Sequence, residues 1–117
     1  MLTVPATVRI FLATSPTDMR KSFDGLQGLV QQVFDEELLS GHLFLFINRR
    51  RDRIKIMFWD RDGLIIWYKR LEAGTFQLPT MTNDQQTVEL EATRLSLLLG
   101  GIDMNTARQR KRYRRVG

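Results

Sequence analysis

The sequence predicts an α/β domain of the α+β type: a mainly antiparallel sheet of about four to six strands containing a three-stranded meander, with one long and one short helix packed on it. Three observations predict it. The runs "LFLFIN", "IKIMFW" and "LIIWYKRL" are strand-length, rich in Ile, Phe, Trp and Tyr, and separated by the turn-forming "RRRDR" and "DRDG". Met19, Phe23, Leu26, Val30 and Val33 recur at spacings of four, three, four and three, which is one apolar stripe on a helix. Leu95, Leu98 and Leu99 form a second, shorter stripe ahead of Gly100 and Gly101.

In chain order, "VRIFLAT" (Val8 to Thr14) alternates as a strand does. "SPTD" then reads as a helix start, with Ser15 as N-cap, Pro16 at the first helical position and Asp18 in the first turn. The long helix is expected to run to about Leu39, with "SGH" as its stop. Gly25 and Gly28 within it suggest close backbone packing against a neighbour, with a tolerated weakness as the alternative. The meander follows, and Asp62-Gly63 is a strong hairpin-turn signal because both residues tolerate positive φ. "EAGTFQLP" is a loop or a short edge strand, and "MTNDQQ" a polar loop. Thr87 to Leu90 is a short strand, and the short helix begins near Glu91, with Ile102 packing back beyond its glycine stop.

The 117 residues amount to one domain, with residues 1–107 folded and residues 108–117 a flexible basic tail. Without cysteine there are neither disulfides nor thiolate metal sites, which fits a reducing cytoplasm. The longest apolar runs are too short to span a bilayer, and "MLTVPATVRIF" lacks the basic start and apolar stretch of a signal peptide. A cytoplasmic protein without membrane contact is expected.

Charge is more informative when located. Arg108, Arg110, Lys111, Arg112, Arg114 and Arg115 lie in the tail with no acid among them; without those six, twelve basic residues face thirteen acids. A basic terminal arm attracts phosphate polyanions through counterion release. A second cluster, "NRRRDRIK", puts Arg49, Arg50, Arg51, Arg53 and Lys55 in and beside one turn, where arginines can grip a phosphate backbone or simply be solvated. The meander is apolar on both faces, Ile54, Ile56 and Phe58 on one side and Met57 and Trp59 on the other; a two-sided core within the chain or a surface for a partner would each explain that.

Asp60 and Asp62 could be a carboxylate pair for a metal ion or the tip of a hairpin. A two-metal site needs acids converging from separate elements, and the meander offers only Asp52, at its opposite end. The turn reading explains all four residues of "DRDG". In "DMRKSFDGL", Asp24 stands four residues after Arg20 and three after Lys21, the spacing of a helix-surface ion pair. No catalytic constellation and no cofactor or metal site emerges, so the chain does not read as an enzyme.

"TDMRKSFDGL", "FINRRRDRIKIMFWDRDGLIIWYKRLEAGTF" and "LLLGGID" resemble the small accessory protein, called TnpB or Orf2, of bacterial insertion sequences of the sixty-six group; it is unrelated to the RNA-guided nuclease that shares the label. The resemblance spans Val8 to Asp103. In that pattern a basic residue is common where Thr75 stands here, which weakens a phosphate contact at that point. The resemblance implies a helper role in DNA transposition, the strand chemistry belonging to a separate transposase. Asp18, Arg20, Asp24, Trp59, Lys69 and Arg70 match the signature, which assigns them no role. The expected partners are transposon DNA, the transposase or both, with a homo-oligomer of the chain as a further candidate; a pure protein–protein adaptor and a metal-dependent nuclease using Asp60 and Asp62 are the alternatives.

Overall fold

Two apolar faces on one sheet demand two covers, and the fold supplies them. The computed structural model describes residue 5, residues 7–80 and residues 84–100. Within them the elements are β1 (Ile10–Ala13), α1 (Phe23–Val33), a 3-10 turn (Leu38–Ser40), β2 (Leu43–Ile47), β3 (Arg53–Asp60), β4 (Gly63–Arg70), β5 (Thr87–Leu90) and α2 (Ala92–Gly100). The strands form one five-stranded sheet in the order β4-β3-β2-β1-β5. The predicted meander, β2-β3-β4, is therefore only one side of it. β1 pairs with β2 in parallel, and the other three pairings are antiparallel. The parallel pair requires a crossover, which α1 provides.

α1 covers one face, where Leu26, Val30 and Phe34 pack with Phe11, Phe44, Phe46 and Met57. Phe34 meets Phe44 and Phe46 edge-on, with ring centroids 5.1 and 5.8 Å away. On the opposite face Leu95 and Leu98 of α2 pack with Ile10, Leu12, Leu45, Ile54 and Ile56, joined by Phe76 from the segment after β4. The two-sided apolar pattern of the meander is thus a core within one chain. β4 is the exception: as an edge strand it leaves Ile65 38% and Tyr68 47% exposed.

The expected contrast of a long and a short helix does not hold, since α1 has 11 residues and α2 has 9. α1 begins at Phe23 rather than after Ser15. The amide of Thr17 is bound to the carbonyl of Ile47 (2.9 Å), and the carbonyls of Met19 and Lys21 are bound by the Lys55 ammonium, so this backbone is taken by partners far along the chain. α1 also ends early, because Phe34 leaves the helix in extended conformation to join the aromatic cluster. Of its two glycines, Gly25 lies against the Lys21 side chain and Gly28 has no close neighbour, so backbone packing against another element explains neither. The hairpin turn is centred on Arg61-Asp62, and the positive φ falls on Arg61 (54°) rather than on Asp-Gly. Ile102 and the glycine stop at Gly101 lie outside the described residues, as does the whole tail, Arg108, Arg110, Lys111, Arg112, Arg114 and Arg115 included.

Candidate nucleic-acid interface

The register brings the ends of β1, β2 and β4 and the starts of β3 and β5 to one end of the sheet. There the β2–β3 turn is built by Asn48. Its Oδ1 accepts from the amides of Asp52 (3.1 Å) and Arg53 (3.0 Å), and its Nδ2 donates to Asp52 Oδ1 (2.6 Å). The amide of Arg51 donates to the Asn48 carbonyl (3.0 Å), with Arg51 at φ 60°. The following segment is pinned to the same turn, Leu71 N–H to Asp52 O (2.7 Å) and Phe76 N–H to Arg51 O (2.6 Å). A loop whose backbone is fixed in this way holds Arg49, Arg50 and Arg51 outward, all exposed and with no side-chain partner among the described residues.

Arg53 is half-buried, with Nη1 3.4 Å from the Tyr68 hydroxyl. Arg70, opposite it in the register, is engaged by Glu72 (2.8 Å). Lys55 does not belong with the loop arginines. Its side chain points to the α1 face, is 8% exposed, and donates to Met19 O (2.9 Å) and Lys21 O (2.7 Å) while standing 4.8 Å from the Tyr68 ring centroid. An ammonium committed to two carbonyls and an aromatic face is a structural clamp, and its placement among phosphate ligands is corrected accordingly.

That clamp also holds the backbone of the "DMRKSFDGL" segment. It seats the segment between β1 and α1 beside the arginine turn, leaving a cleft of about 350 Å³ lined by Thr17, Asp18, Met19, Asn48, Arg49, Arg50, Asp52 and Arg53. Arg20 does not pair with Asp24. It folds back on Asp18, giving Nη2 to Oδ2 at 2.7 Å and its own amide to Oδ1 at 2.9 Å. The Arg20 side chain, then its backbone N–H, hold the Asp18 carboxyl down to about 2. Asp24 sits in the first turn of α1, where an acid suits the helix dipole. Lys69 donates to Leu99 O (3.2 Å), satisfying a carbonyl in the last turn of α2. Trp59 is half-buried on the α1 face near the far end of β3.

The far end of the sheet carries the opposite charge. Asp60, Asp62, Asp35, Glu36, Glu37 and Glu91 gather there, with Arg9 forked between Glu36 (3.0 Å) and Glu89 (2.6 Å). Glu89 is lowered below its ordinary value by the Arg9 hydrogen bond, and Arg9 is raised by the same contact. His42 accepts the Arg9 backbone N–H at Nδ1 (3.0 Å) and meets Phe11 edge-on. Asp60 and Asp62 form the hairpin tip, and among the described residues no three His, Cys, Asp or Glu side chains stand close enough to hold a metal ion.

A model of the IS66 Orf2-like protein family matches residues 8–109. The chain belongs to that family. It is 34% identical over 117 residues to "Uncharacterized protein y4hO" of Sinorhizobium fredii, covering all of both chains. With "Uncharacterized protein y4jC" of the same organism it shares 31% identity over 103 residues, 88% of this chain and 86% of that one. No solved structure matches it. Membership ties the chain to insertion sequences as an accessory protein. Among the described residues no helix is long and apolar enough to cross a membrane.

Sequence reasoning missed Asn48 and Phe76. Asn followed by Asp four residues later, around an arginine run, is a signal for a side-chain-capped turn. Phe76, fully buried, had no periodic neighbours to reveal it.

Proposed function

We propose that this member of the IS66 Orf2-like family is a non-catalytic accessory factor for transposition that contacts the DNA of its element, the transposase or both, and that its basic sheet end is the DNA-facing surface. The observation that carries the reading is the turn presenting Arg49, Arg50 and Arg51 without acid partners among the described residues, whereas Arg20 and Arg70 at that end are paired. α2 reaches the same end, where Lys69 binds the Leu99 carbonyl, so the last described residues before the basic segment lie on this side of the sheet. The acidic far end repels phosphate and orients the approach. Contacts of this kind position a protein on the duplex without reading sequence.

Affinity for a short duplex, measured by fluorescence anisotropy across a salt series, tests it. If the tail's six charges all meet phosphates, they contribute roughly −5 to the slope of log affinity against log salt. Replacing Arg49, Arg50 and Arg51 together by Gln is expected to flatten the slope by about 2.7, at roughly 0.9 for each phosphate no longer neutralised. A triple variant with the wild-type slope would remove the turn from the interface. Negligible DNA affinity of the full chain, with co-purification of the transposase retained, would leave a pure adaptor.

A further inference from the structure

We propose that β4 pairs with β4 of a second copy of this chain, about a two-fold axis at Ile66, to join two sheets into one. Among the described residues β4 is an unpaired edge of eight residues, far longer than the four-residue edge β5. Its register with β3 is continuous, and it contains neither a bulge nor a proline, so it lacks two devices that blunt a free edge. Two of the large apolar side chains exposed among the described residues, Ile65 and Tyr68, lie on it.

The hydrogen-bond phase fits self-pairing. Leu71 N–H bonds Asp52 O, and the register then makes Ile54–Lys69, Ile56–Trp67, Phe58–Ile65 and Asp60–Gly63 the hydrogen-bonded pairs with β3. The alternate residues Leu64, Ile66, Tyr68 and Arg70 therefore turn their amides and carbonyls outward. An antiparallel pairing centred on Ile66 matches those free groups between copies. It sets Leu64 against Tyr68 and Ile65 against Trp67, apolar pairs that stabilise a sheet.

Charge selects this register. Centring on Ile66 brings the Asp62 turn of each copy beside Arg70 of the other, a guanidinium that also holds Glu72 of its own chain. Moving the axis to Trp67, the next register with the same hydrogen-bond phase, would instead oppose Asp62 to Glu72 and Leu64 to Arg70. Like charges directly opposed are unfavourable, which disfavours that alignment. The other in-phase neighbour, centred on Ile65, would set Asp62 against Tyr68 and leave Arg70 with no acid of β4 or its turn opposite, so of the three only the Ile66 alignment gains the Asp62–Arg70 attraction. A two-fold contact of this kind closes on itself and adds no further copies.

Sedimentation velocity of the nuclease-treated full-length chain at low ionic strength, to about 100 µM so as to reach weak, small interfaces, tests it. A dimer is expected. Asp62→Arg lies at an exposed turn and should weaken dimerisation about tenfold or more, two attractive contacts having become repulsive, and Asp62→Arg combined with Arg70→Asp should restore it to within about threefold. Ile66→Pro removes an outward amide together with part of the packing of a half-buried side chain on the α1 face, so its fold is checked by circular dichroism, and the folded variant is expected to be a monomer. A wild-type monomer throughout the range, an unaffected Asp62→Arg, a double variant that stays monomeric, or a folded Ile66→Pro that still dimerises would each overturn the proposal. DNA affinity is read separately, so failure here leaves the basic-end reading standing.

Discussion

Lys55 offers the sharpest test, because its two readings predict opposite behaviour. Lys55→Met keeps most of the apolar stem and removes the ammonium, leaving the carbonyls of Met19 and Lys21 without the donors now at 2.9 and 2.7 Å. Hydrogen bonds from a charged group contribute about 1.5–3 kcal/mol each. Two would set an upper figure of about 3–6 kcal/mol, and two effects shrink it. Relieving a nearly buried charge of its desolvation penalty returns part of it. Lys21 is exposed and Met19 half-buried, so their carbonyls recover some water. A net loss of about 2–3 kcal/mol remains, a fall in Tm of roughly 8–12 °C at this chain length. Thermal and urea denaturation measure it, and hydrogen exchange at Thr17 and Lys21 should report loosening of the motif segment. The DNA salt slope should be unchanged. A Tm within about 2 °C of wild type together with a slope flattened by about 0.9 would refute the clamp and return Lys55 to the phosphate contacts.

Asn48→Ala deletes the three side-chain hydrogen bonds that shape the arginine turn and is expected to destabilise by about 1–2 kcal/mol in urea unfolding, with faster exchange at the Asp52 and Arg53 amides. Asp18 gives a pH signature. Its folded value, about 2, lies below the ordinary 3.8, so the stabilising contribution is fully present above the ordinary value and is lost as pH falls toward 2. Asp18→Asn should therefore flatten the stability profile between pH 4 and pH 2, and a carboxyl titration of Asp18 near its ordinary value would contradict the Arg20 contact.

How much was legible follows from the range of each cause. The meander, β5 and α2 are set by local runs and nearby turn residues, so alternation and spacing reveal them within a residue or two. The start of α1 is not local. Ser15, Pro16 and Asp18 carry helix-start signals, but the carbonyls that a helix there would use are held by a side chain 34 to 36 residues away. The parallel β1–β2 pairing is equally non-local, since strand runs state no partner. Lys55 itself was readable in principle. It has the parity of Met57 and Trp59, so the same alternation that puts those side chains on the α1 face puts Lys55 there. Weighing it as part of a charge cluster ignored the strand it stands on. Arg49, Arg50 and Arg51 were placed correctly at a turn because they are in one; what the sequence did not show is that Asn48 holds that turn fixed.

The two charged ends and the edge strand constrain one another. β3 carries the arginine turn at one end and the Asp60–Gly63 turn at the other, about 25 Å apart at the rise of an extended strand. A two-fold axis perpendicular to the sheet at Ile66 reverses the strand direction, so the basic end of one copy lies beside the acidic end of the other. The same charge separation that would steer DNA to one end of the monomer is thus what would align two copies, and the resulting dimer presents its two arginine turns in opposite directions. If the arginine turns meet DNA, such a dimer would offer them to two separate segments, one at each end, each turn lying on the same side as the acidic tip of the other copy. A monomer has no such capacity, because its far end is acidic.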